Sequence, residues 1–208
     1  MAKVFIGLPS GPNVPIPLMN SYPEAVELGS KDKLRFYNIR GTNTVTARNS
    51  CVHEMLQGDW THLFFMDSDM VFPKGTLKKL LKHDKDIVGG FYVIKRNDFH
   101  PTVFALGQRP GGKYLTEWVN DFREVEAIAT GCLLIKREVL EKIPAPWFEY
   151  VWDEEAKGKM VTEDIIFCEK AKDIGYKVYC DGTIKCGHVG HFIITPTEDP
   201  GKNKIEPI

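Results

Sequence analysis

Long apolar runs are missing from this sequence: no stretch approaches the roughly 18 residues that a membrane-spanning helix needs. The one apolar run near the start, in MAKVFIGLPSG, is short and stops at Pro9, Ser10 and Gly11. It reads as a first strand and a loop rather than a secretory signal, so stem and anchor regions are not expected and the chain is expected to be soluble and cytoplasmic. A surplus of charge is missing too. Lys plus Arg number 27 against 28 for Asp plus Glu, a formal net charge of -1. That balance weighs against a general binder of nucleic acid or of acidic membranes, either of which calls for a basic surplus or stripe. Cysteine is sparse and odd in number: Cys51, Cys132, Cys168, Cys180 and Cys186. In a chain of 208 residues this excludes a disulfide framework and points to a reducing compartment. No internal repeat or low-complexity tract is present.

What is there is an ordinary globular balance, 43% hydrophobic and 26% charged, enough for one domain with a full core. Val4 to Leu8 reads as a buried strand. Pro9, Pro12, Pro15, Pro17 and Pro23 make the next stretch a loop, followed by a helical run over 24–29. Apolar spacing predicts a helix over 46–57, stopped by Gly58. THLFFM at 61–66 is a compact strand, 76–82 a short helix, and IVGGFYVI at 87–94 a strand weakened by Gly89 and Gly90. Short mixed strands around the turn RPGGK fill 102–129. CLLIK at 132–136 is a strand, 137–143 a helix ended by Pro144, and 164–174 an amphipathic helix stopped by Gly175. A strand over 176–180 follows, and the polar tail after Thr195 reads as loosely packed or as a flap. Alternating strands and helices of this kind make an α/β sheet.

FFMDSDM is the most informative segment. Asp67 and Asp69 follow directly on a buried strand, and in open α/β sheets ligands bind beyond the carboxyl ends of strands. Two carboxylates two positions apart repel each other, and a divalent cation resolves that repulsion; oxygen ligands suit manganese or magnesium. A polar turn after a core strand is the plain alternative. Thr162-Glu163-Asp164 stands at the start of a helix, where Thr162 suits the N-cap and acids complement the helix dipole. There a carboxylate facing a cleft can also serve as a general base on a rigid mount. CGHVGH offers His188 and His191 among glycines, and neutral imidazole is a competent ligand for a transition metal, so His188 is the candidate third ligand. Cys180, Cys186 and His188 lack the paired short spacings of a zinc site, and Cys132, Cys168 and Cys180 read as small core residues.

The ordered set VTARNSCVHEML, HLFFMDSDMVFP, VGGFYVIKR, ATGCLLIKREVLEKI, VTEDIIFCEKAKDIGYKVYCD and CGHVG resembles the GT-A nucleotide-sugar glycosyltransferases, of the family 2 type and its small phage or archaeal relatives, over roughly residues 4–191. The resemblance implies a single-domain GT-A fold, Rossmann-like, with a mixed central sheet flanked by helices and a small second sheet. Residues 1–100 would form the nucleotide-binding half and 101–195 the acceptor and catalytic half of the domain, with 196–208 as the tail. It implies a hexosyltransferase-like enzyme that moves a sugar from a UDP- or GDP-sugar to an acceptor hydroxyl, with Mn2+ or Mg2+ and with inversion. Asp69 would be the main acidic metal ligand, His188 would complete the protein ligands, and Asp67 would lie by the ribose or metal. Pro9 and Ser10 would border the nucleobase, Arg48 and Ser68 the nucleotide, and Gly131 the donor sugar. Asp164 takes the catalytic-base position, with Glu163 as the fallback, and Trp147 is either a sugar platform or a partly buried aromatic. The chain departs from processive synthases in lacking their Gln-x-x-Arg-Trp signature. Modified DNA stays open as an acceptor, as does an oligomer. A nucleotidyltransferase is the rival on this fold, disfavoured because LPSGPNVPIP lacks a basic phosphate loop; a non-catalytic nucleotide- or sugar-binding module is the other.

Overall fold

The computed structural model describes residues 1–11, 15–95, 100–106, 115–154, 158–190, 192–199 and 202–207. Pro12, the RPGGK turn and His191 lie outside the described residues. The first half of the chain gives β1 (Lys3–Ser10), α1 (Ile16–Ala25), β2 (Lys33–Arg40), α2 (Thr44–Gln57), β3 (His62–Met66), β4 (Met70–Val71), α3 (Thr76–Lys82) and β5 (Ile87–Phe91). Next come β6 (Val103–Phe104), β7 (Phe122–Val125), β8 (Ala127–Ile128), β9 (Cys132–Lys136), α4 (Arg137–Lys142), β10 (Val151–Asp153) and β11 (Lys159–Val161). The chain closes with α5 (Glu163–Asp173), β12 (Val178–Lys185), β13 (Gly187–Val189), β14 (Phe192–Thr195) and β15 (Lys204–Pro207).

Seven strands form a mixed central sheet in the order β2-β1-β3-β9-β5-β12-β7. β1 pairs in parallel with both β2 and β3, whereas β9 runs antiparallel between β3 and β5. Side chains alternate across the pleat. Phe5, Leu63 and Phe65 therefore enter one core with Cys51, Val52 and Met55 of α2 and Phe167 of α5. Val4, Ile6, Phe64 and Met66 enter the opposite core with Leu18 of α1 and Leu77 and Leu80 of α3. A second sheet, in the order β15-β14-β13-β4, crosses the carboxyl end of β3. The expected α/β class, mixed sheet and small second sheet are all present.

Four local expectations are corrected. α1 runs through the proline-rich stretch read as a loop: Pro15 is its extended N-cap, Pro17 falls in its first turn and Pro23 lies near its end. Proline is tolerated in a first turn because the N–H it lacks has no intrahelical partner there. Of the helical run expected over 24–29, only Glu24 and Ala25 are helical, as the end of that helix, and 26–29 lie beyond it. β2 was not expected at all; KLRFYNIR is an edge strand, mostly exposed and charged, without the apolar run of its neighbours. The tail is not loose throughout: β15 pairs with β14, and Trp118 Nε1 and Asn120 Nδ2 donate to the carbonyls of Thr197 (3.2 Å) and Glu198 (2.7 Å).

Candidate active site

From β1 the chain passes to β2 on one side and then returns to β3 on the other. The crevice where the two paths diverge opens at the carboxyl ends of these strands, the usual ligand position in such sheets. A cleft of ≈ 380 Å³ lies there. Pro9, Ser10 and Gly11 form one wall after β1, Gly41 and Thr42 another after β2, and Thr44, Ala47 and Arg48 come from the start of α2. Asp67, Ser68 and Asp69 close it after β3. A larger groove of ≈ 530 Å³ around Trp60, His62 and Arg137, at the other end of β3, carries none of the residues selected from sequence.

Gly131 stands behind Asp67, whose backbone N–H donates to the Gly131 carbonyl at 3.1 Å. A Cβ at Gly131 would come within 2.6 Å of the Tyr92 hydroxyl and 3.3 Å of Asp67 Oδ2. The glycine thus lets three chain segments meet at one point. Asn43 starts α2 by accepting from the Thr46 N–H at 2.8 Å, and so sets the turn that carries Arg48.

Arg48 is buried, 4% exposed. Its Nη2 donates to Asp67 Oδ1 and Oδ2 at 3.2 and 3.1 Å, and its Nη1 is 3.5 Å from Glu163 Oε1. Burial opposes the guanidinium charge, but the carboxylates of Asp67 and Glu163 outweigh it and raise the Arg48 pKa. For Asp67 and Glu163 themselves burial wins over the pull of Arg48, and both pKa values are raised. Glu163 is buried, whereas Asp164, the next residue, is half-buried.

Asp69 is brought to its partner by the second sheet. β4 begins one residue after it and pairs with β13, setting Met70 opposite His188, and the Val189 N–H donates to the Asp69 carbonyl at 2.7 Å. His188 Nδ1 is 2.9 Å from the Val93 carbonyl oxygen. A carbonyl only accepts, so Nδ1 donates to it, and Nε2 on the other side of the ring faces Asp69 Oδ2 at 3.4 Å. Lys95 Nζ pairs with the same Oδ2 and donates to the Val189 carbonyl at 3.3 Å. Burial pushes Asp69 upward, but the hydrogen bonds from His188 and Lys95 prevail and hold its carboxyl well below the usual range.

Oxygen and imidazole nitrogen facing each other, with the tautomer set by a backbone carbonyl, are a donor pair suited to a first-row divalent cation. Among the described residues no group of three or more His, Cys, Asp or Glu side chains gathers into a metal site. Asp67, expected beside Asp69 as a ligand, is turned to Arg48. The residues that fit a cation are therefore Asp69 and His188, and the remaining positions would fall to ligand or water.

At the helix start, Thr162 has the N-cap position and extended backbone, but its side chain makes no capping bond. It donates instead to Asp164 Oδ1, which also accepts from the Ile165 N–H at 2.9 Å. The Asp164 charge contributes to raising Asp67 and Tyr92, which ties it electrostatically to the cleft. Trp147 is partly buried against the core with its indole N–H on the Leu140 carbonyl at 2.7 Å. Asn49 clamps that segment by accepting from the Trp147 N–H at 2.9 Å. Cys132, Cys168, Cys180 and Cys186 are buried thiols.

Sequence reasoning missed Asn38, which exchanges hydrogen bonds with Ser10, and Gly41 and Thr42, because β2 itself was missed. It also passed over Lys95, which stands in the sequence as the first of two adjacent cations, Lys95 and Arg96, just past the strand IVGGF.

A mixed α/β sheet with a cleft at its switch point, and acids at the strand end and helix start around it, has the GT-A type of fold. Residues 25–144 match the family described as Glycosyl transferase family 2, and the chain belongs to that family. Among solved structures it is similar to that of A197 from STIV, 22% identical over 100% of this chain and 94% of that one, with a TM-score of 0.67. It is also similar to GalNAc-T7 with UDP, GalNAc and Mn2+, 10% identical over 91% of this chain and 44% of that one, with a TM-score of 0.59. The curated proteins yield no match. No helix among the described residues is long and apolar enough to cross a membrane.

Proposed function

We propose that this family 2 chain transfers a sugar from a nucleotide diphosphate sugar, with uridine or guanosine as base, to an acceptor hydroxyl with inversion at the anomeric carbon. The observation that carries the reading is the approach of His188 to Asp69, 119 residues apart in the chain, at the mouth of a cleft walled by the loops after β1, β2 and β3. GalNAc-T7, of similar fold, is solved with UDP, GalNAc and Mn2+, the chemistry assigned here to this cleft.

Residues 1–100 form the nucleotide-binding half. Pro9 and Ser10 border the nucleobase, with Asn38 holding the Ser10 hydroxyl. Arg48 and Asp67 form the floor under the nucleotide, Ser68 turns the chain between the two aspartates, and Gly131 leaves room for the sugar. Asp69 and His188 would hold Mn2+ or Mg2+, which when bound neutralises charge developing on the departing diphosphate. Asp164 takes the proton from the acceptor hydroxyl as its oxygen attacks the anomeric carbon on the face opposite the diphosphate. The new glycosidic bond forms as the sugar–phosphate bond breaks, so configuration inverts. Glu163 is unsuited to that task because it is buried against Arg48.

The test is transfer from UDP- and GDP-sugars in the presence of Mn2+, with donor binding followed separately by thermal shift. Asp164→Asn is expected to keep donor binding and lose transfer, and NMR of the product is expected to show the inverted anomer. Unchanged turnover in the variant overturns the base, a retained anomer overturns the stereochemistry, and donor binding without transfer across a broad acceptor set favours a binding module.

A further inference from the structure

The cation that touches Asp69 in this structure belongs to the protein itself. Lys95 Nζ pairs with Asp69 Oδ2, the same oxygen that His188 Nε2 faces at 3.4 Å. The ammonium therefore uses the lone pairs through which Asp69 would hold a metal. Lys95 follows β5, two residues after Val93, whose carbonyl orients His188. Its side chain is 42% exposed on a flexible four-carbon stem, so it is free to swing away. Arg48, by contrast, is committed to Asp67 and Glu163.

We propose that Lys95 is an internal counter-ion that competes with the divalent cation for Asp69 and is released to the donor's diphosphate when the donor binds. The proposal rests on the Asp69–His188 cation site argued above. Its physical basis is that one carboxylate oxygen cannot satisfy an ammonium and a dication at full strength, because the two cations repel at close range. An incoming diphosphate offers Lys95 a better anion and removes the competition. Cation and diphosphate then bind with positive coupling, and linkage requires the coupling to be reciprocal. If Lys95 occupies Asp69 for about nine-tenths of the time, the apparent cation affinity falls about tenfold. The protein would thereby hold metal loosely without donor and tightly with it.

The test is calorimetric titration of Mn2+ into wild type, Lys95→Met, Lys95→Arg and Asp69→Asn, each alone and with UDP or GDP, with thermal melts confirming that each variant is folded. Lys95→Met is expected to bind Mn2+ alone about tenfold more tightly than wild type. It is also expected to bind UDP or GDP less tightly without metal, and to lose most of the enhancement that the diphosphate gives to Mn2+ in wild type. Lys95→Arg, which keeps the charge, is expected to stay close to wild type. Equal Mn2+ affinity in Lys95→Met and wild type, with the diphosphate enhancement intact, overturns the role of Lys95 and leaves the cation site standing. Mn2+ binding that is absent in every protein, or unchanged by Asp69→Asn, overturns the cation site and the proposal with it.

Discussion

The strand end Asp67-Ser68-Asp69 closes the cleft, the helix start Thr162-Glu163-Asp164 is tied to it through Arg48, and each divides its two acids the same way. One member, Asp67 or Glu163, is fastened to the buried Arg48. The other, Asp69 or Asp164, is turned away from Arg48, to Lys95 and His188 in the first case and to Thr162 and the helix's own backbone in the second. The means differ. At the strand end one intervening serine separates the acids, and the second sheet supplies the partner of Asp69. At the helix start adjacent residues are turned to different surroundings by the helical rotation of about 100° per residue. Arg48 thus acts as a common anchor that fixes one acid of each pair, and the acids left over are those to which chemistry is assigned.

Four substitutions break or sharpen that division, from the largest expected effect to the smallest. Asp164→Asn is expected to lower the transfer rate by about 10²- to 10⁴-fold, the usual worth of a general base, with little loss of donor affinity; steady-state kinetics beside donor titration checks it. Arg48→Met removes the anchor of both pairs and leaves the buried Glu163 and the half-buried Asp67 without their shared cation. It should cost about 3–5 kcal/mol of stability, the usual penalty for breaking a buried ion pair, measured by denaturant unfolding. Asn43→Ala deletes the side chain that starts the helix carrying Arg48, and about 1 kcal/mol is expected to be lost.

Glu163→Gln is the mildest and depends on pH. Folding raises the Glu163 pKa above its ordinary 4.5, with burial as the main cause. The folded state therefore binds the proton more tightly than the unfolded one, so the charge costs stability at neutral pH, and that cost fades as pH falls through the raised folded value and is gone below 4.5. The glutamine variant is expected to gain most on wild type at neutral pH and to converge with it in acid. Melts that diverge on acidification would contradict the assignment.

The strands and acids of the site were legible because their signals are local. A run of four apolar residues ending in an aspartate pair marks a buried strand pointing into a cleft, and Gly58 and Gly175 mark helix ends. His188 was legible as an imidazole in a glycine-rich stretch, but its route to Asp69 was not, because that depends on β4 pairing with β13, a contact between chain segments more than a hundred residues apart. α1 was obscured by counting prolines without regard to position in the first turn. β2 was obscured because an edge strand does not need an apolar face on both sides, and with it went the wall formed by Asn38, Gly41 and Thr42. Lys95 was in plain view as a residue, but a Lys-Arg pair after a strand has no pattern that distinguishes it from solvated charge.

Crystals soaked with Mn2+ and UDP, or Mn2+ and GDP, with data collected for the anomalous signal of manganese, probe the cleft most directly. The expected result is a manganese peak within bonding distance of Asp69 and His188 Nε2, with diphosphate oxygens completing its shell and Lys95 turned from Asp69 to the phosphate. A diphosphate bound elsewhere, or bound here with no manganese between it and Asp69, would contradict the site.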